Sequence, residues 1–326
     1  MTMKTTSSDN ARPPADAVEP GTYYELSTHL LALEVIRRGY QPRWLRKALF
    51  VVEIDGRVYG WNMTRCTITS TVGFDMTGRK DYTRDLLRRA GLTVAVGGTF
   101  DDAEYDKALT RVRRIGWPVV VKPAGRGSGR GVTVGVTDEA AFRDAWTIAA
   151  GGRVVVERQA AGTEARFLTV GGRCVAVAGR IPAHVVGDGS SMLRQLVAAK
   201  NEFRQDNPHL RRHVVPLRGD PEHVPAPGER LVMDDRGGFS TGADSVDLTD
   251  VVHPTYLEVA GQAELAFPQL GVAGVDIIAT DYRQPASPDN HIILEVNSRP
   301  AIGAHHFPWE GKPRDVARAI VDACLV

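Results

Sequence analysis

Near its end the chain carries two apolar runs, GVAGVDIIAT (271–280) and HIILEVN (291–297), and each sets strongly hydrated groups among aliphatic side chains. In an extended strand alternate residues share a face, so Glu295 and Asn297 point the same way, as do Asp276 and Ile278 on the companion run. Two carboxylates and an amide carbonyl among Val, Ile and Leu cost free energy to bury unless a positive partner offsets it. Hard cations such as Mg²⁺ take oxygen donors of this kind. The bland alternative is three strand-end polar groups facing water, and the aliphatic flanks argue against it. The intervening YRQPASPDN is rich in turn formers and long enough to let the two runs pair antiparallel.

With 326 residues and 43% hydrophobic content the chain exceeds one compact core, so two or three lobes around a shared cleft are expected. Residues 1–20 are polar and proline-rich and read as a flexible tail. Residues 21–79 form an N-terminal region: apolar spacing predicts a helix over 24–38 ended by Gly39, and LFVVEI and RVYGW flank Asp55-Gly56, a hairpin dipeptide. A small α/β lobe spans 80–161, with a helix over 81–90, then VVVKP, a glycine-dense loop, GVTVGV, a helix over 138–150 and RVVVE. The larger lobe, 162–326, holds the RFLTV and RCVAVAGRI hairpin, a helix through SSMLRQLVAAKN, a helix over 254–270, the two opening runs and a last helix after Pro313. Pro, Gly and charge dominate 206–242, which reads as loop rather than core.

Forty basic against thirty-nine acidic side chains give a formal charge of +1, which excludes a general affinity for nucleic acid or anionic membrane. No apolar run reaches about 18 residues and no signal-peptide core opens the chain. Cys66, Cys174 and Cys324 show no metal or disulfide spacing, so a reduced, cytoplasmic protein is the simple reading. His305 and His306 are adjacent, do not share a face and have no third ligand at matching spacing, which argues against zinc and for a polar pocket rim. A homodimer is the default assembly.

Lys122 ends an apolar strand, where an ammonium wants an anionic partner. It is followed by AGRGSGRGV, whose glycines at 125, 127, 129 and 131 let backbone amides come close to phosphate oxygens. No G-K-[ST] follows, so this is not a Walker loop, and a glycine hairpin with no ligand stays open. Glu157 and Glu164 suit ribose hydroxyls but equally suit a surface. Arg180 and Arg299 present donor forks that suit a developing anion, or a surface ion pair.

In order along the chain, GRKDYTRDLLRRAG, VVVKPAGRGSGRGVTV, VVVERQAAGTEARFLTVGGRCVAV, GRIPAHVVGDGSS, FSTGADSVDLTDVVHPTY, GVAGVDII and ILEVNSRPAIGAHHFPWEGKPRDVA resemble the ATP-grasp superfamily. The likeness runs from about residue 69 to the end and is nearest to the ATP-grasp portions of cyanophycin synthetases and bifunctional glutathione synthetases. It implies an α/β fold in which two lobes grip ATP, beside a short N-terminal α/β region. It also implies an ATP-dependent ligase that joins a carboxylate to an amine, an amino acid or short peptide, through an acyl phosphate.

Residue by residue, the resemblance implies that Lys80 and Lys122 hold ATP phosphates beneath the loop of Gly127, Ser128, Gly129 and Gly131. Glu157, Arg158 and Ala160 would line the adenine and Glu164 the ribose. Asp276, Glu295 and Asn297 would bind two Mg²⁺ ions, with Mn²⁺ as a substitute. Arg180 and Arg299 would meet the transferred phosphate, and Ser240, Thr241, Gly242 and His305 would face the acceptor. A kinase that stops at a phosphorylated product, or a silent ATP-binding regulator, are the alternatives. Room is lacking for the second ligase module of cyanophycin synthetases and for the glutamate–cysteine ligase of the bifunctional enzymes, so neither whole reaction is expected. Ala243 and Ala301 stand where glycine is usual, which points to an altered acceptor pocket.

Overall fold

A computed structural model describes residues 25–125, 131–235 and 237–325, with the backbone alone at Ser240. The opening helix, α1 (Leu26–Arg37), is capped by Glu25, whose carboxylate accepts from the Thr28 amide at 2.9 Å. A four-stranded antiparallel sheet follows in chain order: β1 (Arg43–Arg46), β2 (Leu49–Ile54), β3 (Arg57–Asn62) and β4 (Arg65–Cys66). Asp55 and Gly56 both take positive φ, 51° and 76°, as the tight turn between β2 and β3 requires.

Helices α2 (Thr71–Thr77) and α3 (Lys80–Arg89) lead to a small sheet built from β5 (Gly97–Phe100), β6 (Val119–Pro123), β7 (Thr133–Val136) and β8 (Val154–Arg158), ordered β5-β8-β6-β7. Its helices, α4 (Tyr105–Ile115) and α5 (Glu139–Ala149), bury Val112, Phe142 and Trp146 against Val121 and Val156. This sheet begins at Gly97, later than Lys80. The helix that carries Lys80 instead packs Leu87 with Ile293 and Val296 of the larger lobe.

That lobe runs through β9 (Thr163–Val170), β10 (Arg173–Ile181), β11 (Ala183–Val186), α6 (Leu193–Arg204), β12 (Arg230–Asp234), β13 (Asp244–Asp247) and α7 (Pro254–Leu265). It closes with β14 (Val272–Ala279), β15 (His291–Asn297), α8 (Gly303–His306) and α9 (Val316–Cys324). Five strands form the large sheet, ordered β13-β10-β9-β14-β15, while β11 and β12 pair apart. The antiparallel pairing expected of the two late runs is present as β14 and β15.

Three expectations change. The 206–242 stretch is not all loop, because β12 pairs with β11 and buries Met233, while Leu210 and Val215 are also buried. Helix α7 ends at Leu265, short of 270, because Pro268 disfavours helical backbone at Phe267. Among the described residues the N-terminal region shares its core with the large lobe: Leu31, Phe50 and Trp61 fall in one cluster with Leu168, Val272, Ile302 and Ile320.

Candidate active site between the two sheets

Strand register builds the site. Arg166 on β9 lies opposite Asp276 on β14, and Asp276 lies opposite Glu295 on β15. Gly274 pairs with Asn297, so these side chains share one face of the large sheet. Arg166 forks onto Asp276, with Nη2 donating to Oδ2 at 2.6 Å and Nε donating to Oδ1. Arg180 Nη2 donates to Asp276 Oδ1 at 3.4 Å and its other nitrogen pairs with Glu164. Asn297 Nδ2 donates to Glu295 Oε1 at 2.8 Å and to Asp276 Oδ2 at 3.3 Å.

Three acids thus converge on two arginines. Asp276 is only 1% exposed; burial opposes its charge, but the Arg166 and Arg180 guanidiniums outweigh burial and hold it below its ordinary value. Burial, and next the like charge of Asp276, push the Glu164 carboxyl up to about 7. Close-set carboxylates whose charge must be offset, beside an amide that can present oxygen, fit a hard cation. Among the described residues no three His, Cys, Asp or Glu side chains form a metal cage by themselves. The donor set suits an ion that shares its shell with ligand oxygens and water.

Across the cleft, Lys80 and Lys122 line the same cavity as Glu157, Glu295 and Asn297. Lys122 Nζ lies 2.5 Å from Glu157 Oε2, and Arg84 approaches the other carboxylate oxygen at 3.5 Å. Burial pushes the Lys80 ammonium down from its ordinary value against the pull of Glu295. The two lysines therefore concentrate positive charge in a desolvated wall facing the acidic face, an arrangement that suits an oligophosphate held with a cation.

Glu157 and Arg158, expected from the sequence to line the adenine, fall at the end of β8. The Arg158 side chain turns away, its Nε donating to the Ile115 carbonyl at 2.7 Å, and its amide donates to Val96 at 2.8 Å. Ala160 follows in the connection to β9 and is half-buried. Gly131 sits at φ 75°, where a Cβ would come within 3.0 Å of the Pro123 ring. Gly127, Ser128 and Gly129 lie outside the described residues.

On the other flank, the short turn Phe239–Thr241 closes over Arg180, with the Phe239 ring 5.3 Å from the guanidinium and 4.8 Å from His209. Thr241 Oγ1 donates to Gly238 at 2.8 Å. Gly242 takes φ 89°, and a Cβ there would meet the Val214 carbonyl at 2.6 Å. Ser240 belongs to the same turn. His305 is not a pocket rim: it is 3% exposed, its Nε2 is buried without a partner, and burial pushes its pKa down to about 3. Arg299 is exposed on the loop after β15, and its charge acts on Arg65 of the N-terminal sheet.

Two contributors escaped the sequence. Arg166 shares a strand face with Glu164, but only the β9–β14 register sets it on Asp276. Phe239 lies in an irregular stretch with no periodic signal.

Residues 78–178 match the family described as phosphoribosylglycinamide synthetase, ATP-grasp (A) domain. The crystal structure of a bifunctional glutathione synthetase from Pasteurella multocida superposes with a TM-score of 0.70 at 27% identity, covering 93% of this chain and 44% of that one. The chain has the ATP-grasp fold and belongs to the ATP-grasp superfamily. Within it, the glutathione biosynthesis bifunctional protein of Clostridium perfringens is 30% identical over 330 residues, taking in 91% of this chain and 41% of that protein. The cyanophycin synthetase of Trichormus variabilis is 31% identical over 334 residues, 91% of this chain and 34% of that one. The chain spans well under half the length of these relatives.

Proposed function

We propose that the chain uses ATP to activate a carboxylate and join it to an amine, forming an amide and releasing ADP and phosphate. The carrying observation is the Asp276–Glu295–Asn297 face, set opposite Lys80 and Lys122 and flanked by Arg180. Phosphoryl transfer needs positioning and charge neutralisation rather than a side-chain nucleophile, and this inventory offers those two things.

In this reading Lys80 and Lys122 hold the phosphate oxygens, with Gly127, Ser128, Gly129 and Gly131 as the glycine-rich partners expected from the sequence. Ala160 and the backbone of Glu157 and Arg158 line the base, and Glu164 takes the ribose. Asp276, Glu295 and Asn297 hold one or two Mg²⁺ ions, or Mn²⁺ in their place. The bound metal would lower the charge on the phosphates that the acid must approach. Arg180 then leaves Asp276 and Glu164 and donates to the transferred phosphoryl oxygens. The Ser240–Thr241–Gly242 turn covers the acceptor side, where an amine attacks the acyl carbon of the acyl phosphate and displaces inorganic phosphate. Both substrates are amino acids or short peptides, the protein works in the cytoplasm, and a homodimer is its assembly.

The test is phosphate release from ATP and Mg²⁺ across a panel of carboxylates and amines, with products read by mass. Amine-dependent release that falls at least a thousandfold in Asp276→Ala and Glu295→Ala is expected. Full activity in both variants would remove the metal assignment, and a phosphorylated product formed without any amine would make the chain a kinase.

A further inference from the structure

A second cleft, of about 310 Å³, opens between the N-terminal sheet and α2, with Asn62, Arg65, Thr69, Ser70 and Phe74 among its walls. That volume suits a small ligand. Its charge is one-sided. Arg46 on β1 pairs in register with Leu49, Leu49 with Asn62 and Asn62 with Arg65, so one row across the sheet carries both arginines. With its amide oxygen turned to them, Asn62 accepts from Arg46 Nη2 at 3.1 Å and from Arg65 Nη2 at 3.2 Å. Arg299, exposed on the loop after β15, acts on Arg65 as a like charge, and Asp75 acts on it as an opposite one.

Among the described residues none of these three arginines has a carboxylate partner within ion-pair distance. Arg65 is nevertheless fixed. Its guanidinium lies 4.0 Å over the Phe74 ring, and its Nε is buried without a hydrogen-bond partner. Like charges gathered with no carboxylate at ion-pair distance oppose folding, and the orphaned buried donor of Arg65 adds to that cost. Arg46 and Arg299 are exposed, so the constraint falls on Arg65, whose guanidinium is held over Phe74. A planar anion received by the adjacent Arg65 and Arg46 forks would offset the gathered charge.

The cleft adjoins the candidate active site. Thr64 Oγ1 donates to the Pro300 carbonyl at 2.7 Å, and the Thr77 and Ser298 hydroxyls lie 2.7 Å apart. Phe74 in the second cleft and Thr77 in the nucleotide-side cavity both belong to α2, about 4.5 Å apart along its axis.

We infer that Arg65, with Arg46 beside it, forms a subsite for a free, unreacted carboxylate of an amino-acid or peptide substrate, near the loop that follows β15. The role assigned to that carboxylate rests on the ligase reading; the anion site itself does not.

Calorimetric titration of the full chain at low salt separates the two. N-acetylglycine is expected to bind and the neutral N-acetylglycinamide not to bind. Arg65→Met is expected to weaken the acid at least tenfold and Arg46→Gln by less, with folding of each variant checked by circular dichroism and melting midpoint. Equal binding of the amide, unchanged affinity in a folded Arg65→Met, or binding of inorganic phosphate without the acid would overturn the inference. Mg²⁺–ATP is titrated into the unaltered chain alongside. Failure there with intact acid selectivity would end the ligase reading and leave the subsite standing.

Discussion

Arg166 is the residue on which the candidate site balances without ligands, since it forks onto an acid that is 1% exposed. Breaking a buried ion pair by removing one partner costs more than the pair gained, because the survivor keeps its charge without water or counter-ion. Arg166→Met is therefore expected to destabilise the ligand-free chain by about 3–5 kcal/mol. Added Mg²⁺ with ATP should recover more stability in this variant than in the parent, because a cation then replaces the missing guanidinium. Melting midpoints with and without Mg²⁺–ATP check this, and equal ligand-induced shifts would contradict it. Asp276, Glu295 and Asn297 were legible as a set because two-residue periodicity alone puts Glu295 and Asn297 on one face. Arg166 was not, since its role depends on which strand lies beside β9, and His305 read as a rim only because sequence carries no burial.

Among the elements, the connection from β8 to β9 joins the small sheet to the large one in four residues. Gly162 ends it at φ 117°, a conformation that side chains rarely adopt, and a Cβ there would lie 2.2 Å from the Ala279 carbonyl. Gly162→Ala is expected to cost more than about 1 kcal/mol, as substitutions at such backbone do. It should also weaken nucleotide binding, because Ala160 and Glu164 flank the displaced residue. Denaturant unfolding and nucleotide titration measure the two effects, and a variant with parental values in both would refute the close approach. Most elements were readable from apolar spacing, caps and turn dipeptides. β12 was not, because a five-residue strand with charged ends has too little periodicity to stand out and is stabilised by pairing with β11.

For the whole molecule, the decisive fact is the shared core beneath the N-terminal sheet. Trp61 is fully buried and stacks on Phe50 at 5.1 Å, within the cluster that reaches Leu168 and Val272 on the large sheet. Trp61→Ala should cost about 3–5 kcal/mol, the range for truncating a buried aromatic. The loss should spread, with backbone amides of β2, β3 and β9 losing hydrogen-exchange protection together. Loss confined to β2 and β3 would mean that the N-terminal region folds as its own unit. The shared core also explains how the second cleft and its arginines come to lie beside the loop after Asn297.

The sequence by itself indicated most strands and helices, though not, among others, α2, α4, β5 or β12, together with the acid–amide set on the late strands and the two lysines that line the cavity, because each depends on short periodicities or on ordered strings of residues. Tertiary structure alone decided the rest. It set Arg166 on Asp276, carried Arg299 to Arg65, buried His305 and merged the N-terminal region with the large lobe. Those are outcomes of register and burial between segments up to 294 positions apart, from Leu30 to Cys324. Contacts at that separation leave no local pattern in the chain, because the residues that make them meet only after each element has already formed.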